Sequence, residues 1–289
     1  MILVSTGLEL LSKDFDIMNK LPQLKDVQID LAIQNDTAFE EHVSQPLLAI
    51  GVPIYGQYRF SKIEQYIILN RYKINTPKTY YDLNTIQPCN SWDSFNAFVD
   101  LDEFIVKPLR GARGIGVKKL TRQQYKDCIF DRNKVKDIFS NEIQEMEKHS
   151  PDTPSNYIRN SFNGEMIAQE VLDITREFRF IVLAGGTTLA YEREKKEGQF
   201  CGGLSSGSKP KELSLYEKNK IIQEIGFKVD LIMEEYKYPW LSLDVYTDRN
   251  GNTGIIEFQM EFAYEGFDHK TVRESMIEAV NYLIKKHKR

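Results

Sequence analysis

Apolar positions along the chain come in short runs, separated by polar stretches with helical spacing. Ile2–Val4, Val27–Ile33 and Pro46–Ile54 are the first three such runs, and they predict a small α/β unit at the N-terminal end. Within it, Leu47 to Pro53 reads as a buried strand that ends in a turn. The pattern changes at Ser61: in SKIEQYIILNRY, Ile63, Tyr66, Ile67 and Asn70 recur at helical spacing. This helix stops near Asn75-Thr76-Pro77, and Lys78–Tyr81 resumes as a strand. Phe104, Ile105 and Val106 then lead into Lys107-Pro108 and a loop carrying Gly111, Gly114 and Gly116.

Downstream, a long polar helical segment is expected from Thr121 to Lys148, followed by a Pro- and Ser-containing loop over 149–156. Met166–Leu172, Phe178–Leu183 and Thr187–Tyr191 read as strands, the last two joined by Ala184-Gly185-Gly186. Residues 192–210 are rich in charge and glycine and predict a mobile loop. Leu215–Tyr236 is an amphipathic helix. Leu241–Thr247 and Thr253–Gln259 form a strand pair around the turn Asp248-Arg249-Asn250-Gly251, and a helix over Lys270–Lys286 follows.

Composition narrows the class without naming a chemistry. Hydrophobic residues make up 41% and charged residues 28% of 289 positions, as in ordinary globular proteins. A net charge of −4 gives no reason to expect general nucleic-acid binding, so basic clusters such as Lys107 to Lys119 call for a local ligand. Cys89, Cys128 and Cys201 are far apart, as are the four histidines, which disfavours a disulfide framework, a zinc site or a histidine-based triad. The N-terminus lacks a basic leader and a small-residue cleavage site, and no run approaches the ~20 apolar residues of a membrane span. A cytoplasmic protein is expected.

Two places carry the candidate chemistry. In FIVKPLRGARGIGV, a buried strand delivers Lys107 to its end, and a basic glycine-rich turn with Arg110 and Arg113 follows. Such a turn lets backbone N–H groups approach phosphate oxygens, with the lysine as a fixed positive charge. A plain hairpin with solvated basic residues accounts equally well for this segment alone. Further on, Asp244 lies inside an apolar strand, and Glu257 and Gln259 share one face of the next. Carboxylates in apolar strands are costly unless paired or bound to a cation. Two carboxylates and an amide oxygen suit Mg²⁺ bound with nucleotide phosphates, although pairing with Arg or Lys is the alternative.

The order of these pieces resembles the ATP-grasp superfamily. Ser61-Lys62 precedes the strand entry Asn75-Thr76-Pro77, and Lys107 precedes the glycine loop Gly111–Gly116. Ala168-Gln169-Glu170-Val171-Leu172 matches the adenine hinge strand, and Glu177-Phe178-Arg179 an acid-x-Arg element. Arg193 stands before a loop containing Cys201-Gly202-Gly203, and Asp244, Glu257 and Gln259 match the metal strands. The resemblance spans about residues 61–265. It implies an α/β (α+β) ATP-grasp fold, with a short N-terminal α/β domain over 1–60 and the ATP-grasp domain over 61–289. The latter would divide into a smaller part, about 61–172, and a larger part, 173–289, with the metal strands. Gln259 stands where the family usually has Asn, and Ser61 where many relatives have Asp.

What the resemblance implies for function is ATP-dependent ligation. A substrate carboxylate attacks the γ-phosphate to give an acyl-phosphate and ADP, and an amine then displaces phosphate. Lys62 and Lys107 would contact the α/β phosphates, and backbone atoms of the loop with Gly111, Gly114 and Gly116 would cover the β/γ end. Arg110 and Arg113 would face phosphate or an acidic substrate, with plain exposure as the alternative. Gln169, Glu170, Val171 and Leu172 would read adenine, and Glu177 would accept from ribose hydroxyls. Arg179, Arg193 and Lys107 would stabilise the transferring phosphoryl group. Asp244, Glu257 and Gln259 would hold one or two Mg²⁺ ions, with Mn²⁺ as a substitute. Partners would be small-molecule or peptide carboxylates and amines, without membrane or specific nucleic acid; a homodimer is left open. A small-molecule kinase and a nucleotide-binding regulator without turnover are the competing readings. Tyr264, Glu265 and Asp268 stand where substrate contacts would fall.

Overall fold

The computed structural model describes residues 2–4, 16–17, 31–33, 51–56, 60–89, 91–109, 116–141, 143, 158, 162, 165–195, 208–259 and 266–287. These residues build three sheets. The first is a parallel four-stranded sheet of β1 (Ile2–Val4), β2 (Asp16–Ile17), β3 (Leu31–Ile33) and β4 (Ile54–Tyr55), in the order β2-β1-β3-β4. Of the Val27–Ile33 run, Leu31–Ile33 forms β3 and residues 27–30 lie outside the described residues; the third run pairs at Ile54–Tyr55, beyond the turn at Gly51 (φ +78°). Residues 47–50 of that expected strand lie outside the described residues.

Helix α1 (Lys62–Arg71) begins at Ser61, whose hydroxyl accepts from Glu64 N–H while Glu64 reaches back to the Ser61 N–H. This reciprocal cap satisfies two donors at the helix start. The buried face is Ile63, Ile68 and Leu69 rather than the expected Ile63, Tyr66, Ile67 and Asn70. Asn70 is exposed and turns its amide onto the Tyr66 carbonyl.

The second sheet is antiparallel, ordered β5-β8-β6-β7, from β5 (Thr79–Tyr80), β6 (Glu103–Pro108), β7 (Lys118–Thr121) and β8 (Met166–Gln169). Phe104, Val106, Leu120 and Met166 face a core shared with Phe95 of α2 (Trp92–Phe98) and Tyr125 of α3 (Arg122–Phe130). The expected long helix after Thr121 breaks at Asp131. There the backbone is extended, and the carboxylate accepts from Asn133 N–H to start α4 (Arg132–Ile138). Residues 144–157 lie outside the described residues.

The third sheet is antiparallel and five-stranded, in the order β11-β10-β9-β12-β13. Its strands are β9 (Ile174–Leu183), β10 (Thr188–Glu194), β11 (Lys209–Glu212), β12 (Trp240–Asp248) and β13 (Thr253–Gln259). Part of the segment expected as loop over 192–210 is therefore strand, since Arg193 pairs with Pro210 and Glu194 with Lys209.

One face of this sheet packs on α5 (Leu215–Glu235) and α1: Phe178, Phe180, Leu243, Val245, Ile255 and Phe258 meet Ile225, Val229, Ile68 and Leu69. On the opposite face, Ile181, Leu183 and Trp240 share a core with Leu31 and Ile33 of β3 and with Val272 and Met276 of α6 (His269–His287). The edge of β13 is covered too. Gln65 Oε1 accepts from Phe258 N–H (3.0 Å), and the Asn75 carbonyl accepts from Ile255 N–H (2.8 Å).

Candidate functional site

The face of the five-stranded sheet that packs on α6 at one end is polar at the other. Alternation along β9 puts Glu177 and Arg179 on this face in line with Ile181, and along β12 it puts Ser242 and Asp244 in line with Trp240. Asp244 lies opposite Arg179 on one side and opposite Glu257 on the other. Tyr191 lies opposite Arg179 on β10, and Arg193 follows two residues on.

A β-bulge makes this assembly. Val245 pairs with Ile255 but Asp244 pairs with Glu257, so Ile256 is an extra residue in β13. The shift keeps Ile255 and Phe258 both in the core under α5, and it turns Glu257 and Gln259 to the Asp244 side. Without it, Glu257 would point into the apolar core. Bulges that re-aim side chains in this way occur beside active sites.

Asp244 is the electrostatic centre. Its Oδ1 accepts from Arg179 Nη1 at 2.6 Å and from Arg193 Nη2 at 2.8 Å, and only 15% of its side chain is exposed. Burial alone would raise its pKa, but the two guanidiniums outweigh it and hold the carboxyl below the usual aspartate value. Arg179 also faces Gln259. A guanidinium has donors only, so the amide atom at 2.9 Å from Nη2 and 3.2 Å from Nη1 is the oxygen. Lys62 Nζ, at the first position of α1, stands 4.0 Å from Glu257 Oε2. Among the described residues, two buried polar atoms on this face have no hydrogen-bond partner: Arg193 Nε and Ser242 Oγ.

Glu177, expected to meet a ribose, is ion-paired with Lys195 Nζ at 2.5 Å. Lys107 is buried on β6, on the face of the second sheet away from Phe104 and Val106, with Ile167 opposite. Gln169 shares that face and donates to Thr79 Oγ1 at 2.5 Å. The strand expected to run to Leu172 ends at Gln169. Glu170 instead clasps β5: its N–H donates to the Lys78 carbonyl, and its Oε1 accepts from Lys78 N–H. Val171 and Leu172 follow as irregular backbone, with Val171 exposed. Gly116 has φ +73°, and a Cβ there would stand 2.9 Å from Pro108 Cγ, so this glycine is required where the loop meets β6. Arg110, Gly111, Arg113 and Gly114 lie outside the described residues, as do Cys201, Gly202, Gly203, Tyr264 and Glu265. Asp268 caps the start of α6 by accepting from Thr271 N–H at 2.8 Å, a structural duty.

Tyr191, Lys195 and Ser242 were not singled out from the sequence. Tyr191 and Ser242 each lie two residues from a residue that was, so strand alternation was the available signal. Lys195 also lies two residues from Arg193, but it stands just past the end of β10 in a run of charged residues that hides the alternation.

No family model matches the chain, and no curated protein sequence matches it. Solved structures do. A D-cycloserine synthetase is 10% identical, aligned over 98% of this chain and 99% of its own, with a TM-score of 0.58. A RiPP-associated ATP-grasp ligase from Chryseobacterium gregarium, in complex with ADP and a leader and core peptide, is 11% identical over 98% of this chain and 96% of its own, at 0.57. A D-alanine–D-alanine ligase from Bacillus anthracis is 14% identical over 99% and 98%, at 0.55. The chain has the ATP-grasp fold. Among the described residues, no helix is long and apolar enough to cross a membrane.

Proposed function

We propose that the protein is an ATP-dependent ligase that activates a carboxylate by phosphorylation and joins it to an amine. The observation that carries this is the cross-strand pair Asp244–Glu257, presented on one face together with Arg179 and Arg193. The fold is the one in which D-alanine–D-alanine ligase and RiPP-associated ligases are built, and those proteins were solved with ATP or with ADP.

The donor set fits Mg²⁺. Two carboxylates lie opposite each other on adjacent strands, and Asp244 uses Oδ1 alone for its arginines. One or two carboxylates, completed by substrate phosphates, is the set Mg²⁺ commonly takes. Asp244 and Glu257 would hold the ion, which supplies neutralisation of charge on the β- and γ-phosphates.

The remaining roles belong to side chains. Arg193 keeps a buried Nε without a hydrogen-bond partner, and it would donate to an anionic oxygen of the substrate or of the transferring phosphoryl group. Arg179 holds Asp244 ionised and adds positive charge beside it. Lys107, buried at the end of β6, would contact phosphate from the second sheet, and Lys62 would do so from α1. Phosphoryl transfer asks for this kind of placed charge rather than for a covalent nucleophile. Amino acids, peptides and related small molecules are the proposed substrates.

The test is an ADP-release screen of amino acids and dipeptides with Mg·ATP, followed by mass analysis of products. A product heavier than the acid by the amine less water supports ligation. A stable phosphorylated product without amine would identify a kinase, and tight ATP binding with no ADP from any substrate would identify a regulator.

A further inference from the structure

We propose that Gln259 is a positioning residue that holds Arg179, and that it is not a metal ligand; this rests on the nucleotide-site reading above. The argument begins with lone pairs. An amide oxygen has two, and the Gln259 oxygen faces both Nη2 (2.9 Å) and Nη1 (3.2 Å) of Arg179. A carboxylate offers about four acceptor sites, and Asp244 commits only Oδ1, to Arg179 and Arg193. Of the three expected metal ligands, Asp244, Glu257 and Gln259, the last is therefore the one whose oxygen is fully engaged.

Side-chain reach explains why the residue is Gln. Gln259 lies on β13 and Arg179 on β9, with β12 between them. Strands are ~4.8 Å apart, so the two side chains must meet across roughly 10 Å of sheet. The residue opposite Gln259 on β12 is Ser242, small and fully buried, and it leaves the path open. The extra methylene of Gln over Asn supplies length needed for that crossing. A longer side chain at this position serves the arginine better than it serves an ion beside Asp244 and Glu257.

Charge explains why the holder is neutral. Arg179 and Arg193 donate to the same oxygen of Asp244, an arrangement in which the two cations repel. A neutral acceptor fixes the Arg179 fork without cancelling its charge. With Nη1 donating to Asp244 and Gln259, and Nη2 to Gln259, three of the five N–H donors are taken and the guanidinium plane is fixed. Arg179 then meets a reacting phosphoryl group without reorganising.

The experiment separates metal binding from turnover. Mn²⁺ binding in the presence of ADP is followed by electron paramagnetic resonance for the wild type, Gln259→Met, Gln259→Glu and Glu257→Gln, beside kcat and KM for ATP. The expected result is that Gln259→Met leaves the Mn²⁺ dissociation constant within about two-fold, while kcat falls ten-fold or more. Gln259→Glu, which keeps an acceptor for both Nη groups but adds a charge that cancels that of Arg179, should recover only part of that loss. Glu257→Gln should weaken Mn²⁺ at least ten-fold. Loss of Mn²⁺ affinity in Gln259→Met comparable to that in Glu257→Gln would overturn the inference, as would unchanged kcat. Should Gln259→Met fail to fold, Gln259→Asn carries the same test, because its shorter side chain draws the oxygen away from Arg179. A wild-type protein that binds no Mn²⁺ with ADP would overturn the nucleotide site itself, and this inference with it.

Discussion

Arg179 and Asp244 are cross-strand neighbours on β9 and β12, joined by an Nη1–Oδ1 bond of 2.6 Å inside a nearly buried pair. Arg193 bonds the same oxygen, so one carboxylate compensates two buried guanidiniums. Asp244→Ala therefore removes more than a proposed metal ligand. It leaves two cations without their counter-charge, and a loss of about 3–5 kcal/mol is expected in urea unfolding. Glu257, 25% exposed and 4.0 Å from Lys62, has no such duty. Glu257→Ala should abolish Mg·ATP turnover with unfolding free energy changed by less than about 1 kcal/mol. A destabilisation equal to that of Asp244→Ala would contradict this division of labour.

The same pair sets a pH dependence. The folded-state pKa of Asp244 is depressed, so its contribution to stability is complete above the unfolded-state value of about 3.9 and is lost as pH falls through the lower folded value. Between pH 5 and pH 3, wild-type stability should fall more steeply than that of Asp244→Asn, which has no proton to take up at this position. Parallel curves for the two proteins would remove Asp244 from the acid response.

Much of this site was legible because strands alternate with a period of two. Lys107 and Asp244 stand out as charges in apolar strands, and both are where alternation puts them. The bulge at Ile256 was not legible, since TGIIEFQ contains no residue that demands an insertion; it follows from keeping Ile255 and Phe258 in one core. The first half of β11, Lys209-Pro210, fell within the segment read as loop for its charge and glycine, and Lys209 to Glu212, exposed throughout, shows no apolar pattern that would have marked a strand. The break at Asp131 had a local signal, an N-cap residue, masked by helix formers on either side. The pairing of Glu177 with Lys195 and of Gln259 with Arg179 depends on tertiary placement that no local pattern carries.

Thiol chemistry provides an independent check on the second sheet's core. Cys89 and Cys128 are free and buried, and burial raises both thiols, Cys128 to about 12. At pH 8 both should resist iodoacetamide in the native protein and react in urea. Mass mapping of labelled peptides distinguishes the outcomes, and rapid native labelling of Cys128 would contradict its packing in the core with Tyr125 and Phe139.

Gly254 links the fold to the site. A Cβ there would stand 2.5 Å from the Asn75 carbonyl oxygen and 2.5 Å from the Tyr246 ring and hydroxyl. The neighbouring Ile255 N–H donates to that carbonyl, and the Asn75 amide donates to the Thr253 carbonyl at 3.1 Å. The turn after α1 is thereby fastened to β13, and α1 carries Lys62 to its place beside Glu257. Gly254→Ala must push this turn off the strand, because backbone and a buried ring are what it meets. The expected cost is about 1–3 kcal/mol in urea unfolding. Because the displaced element bears Lys62, KM for ATP should rise several-fold in Gly254→Ala, in the same direction as in Lys62→Ala. A variant with lowered stability but an unchanged KM would show that the fastening serves the fold alone.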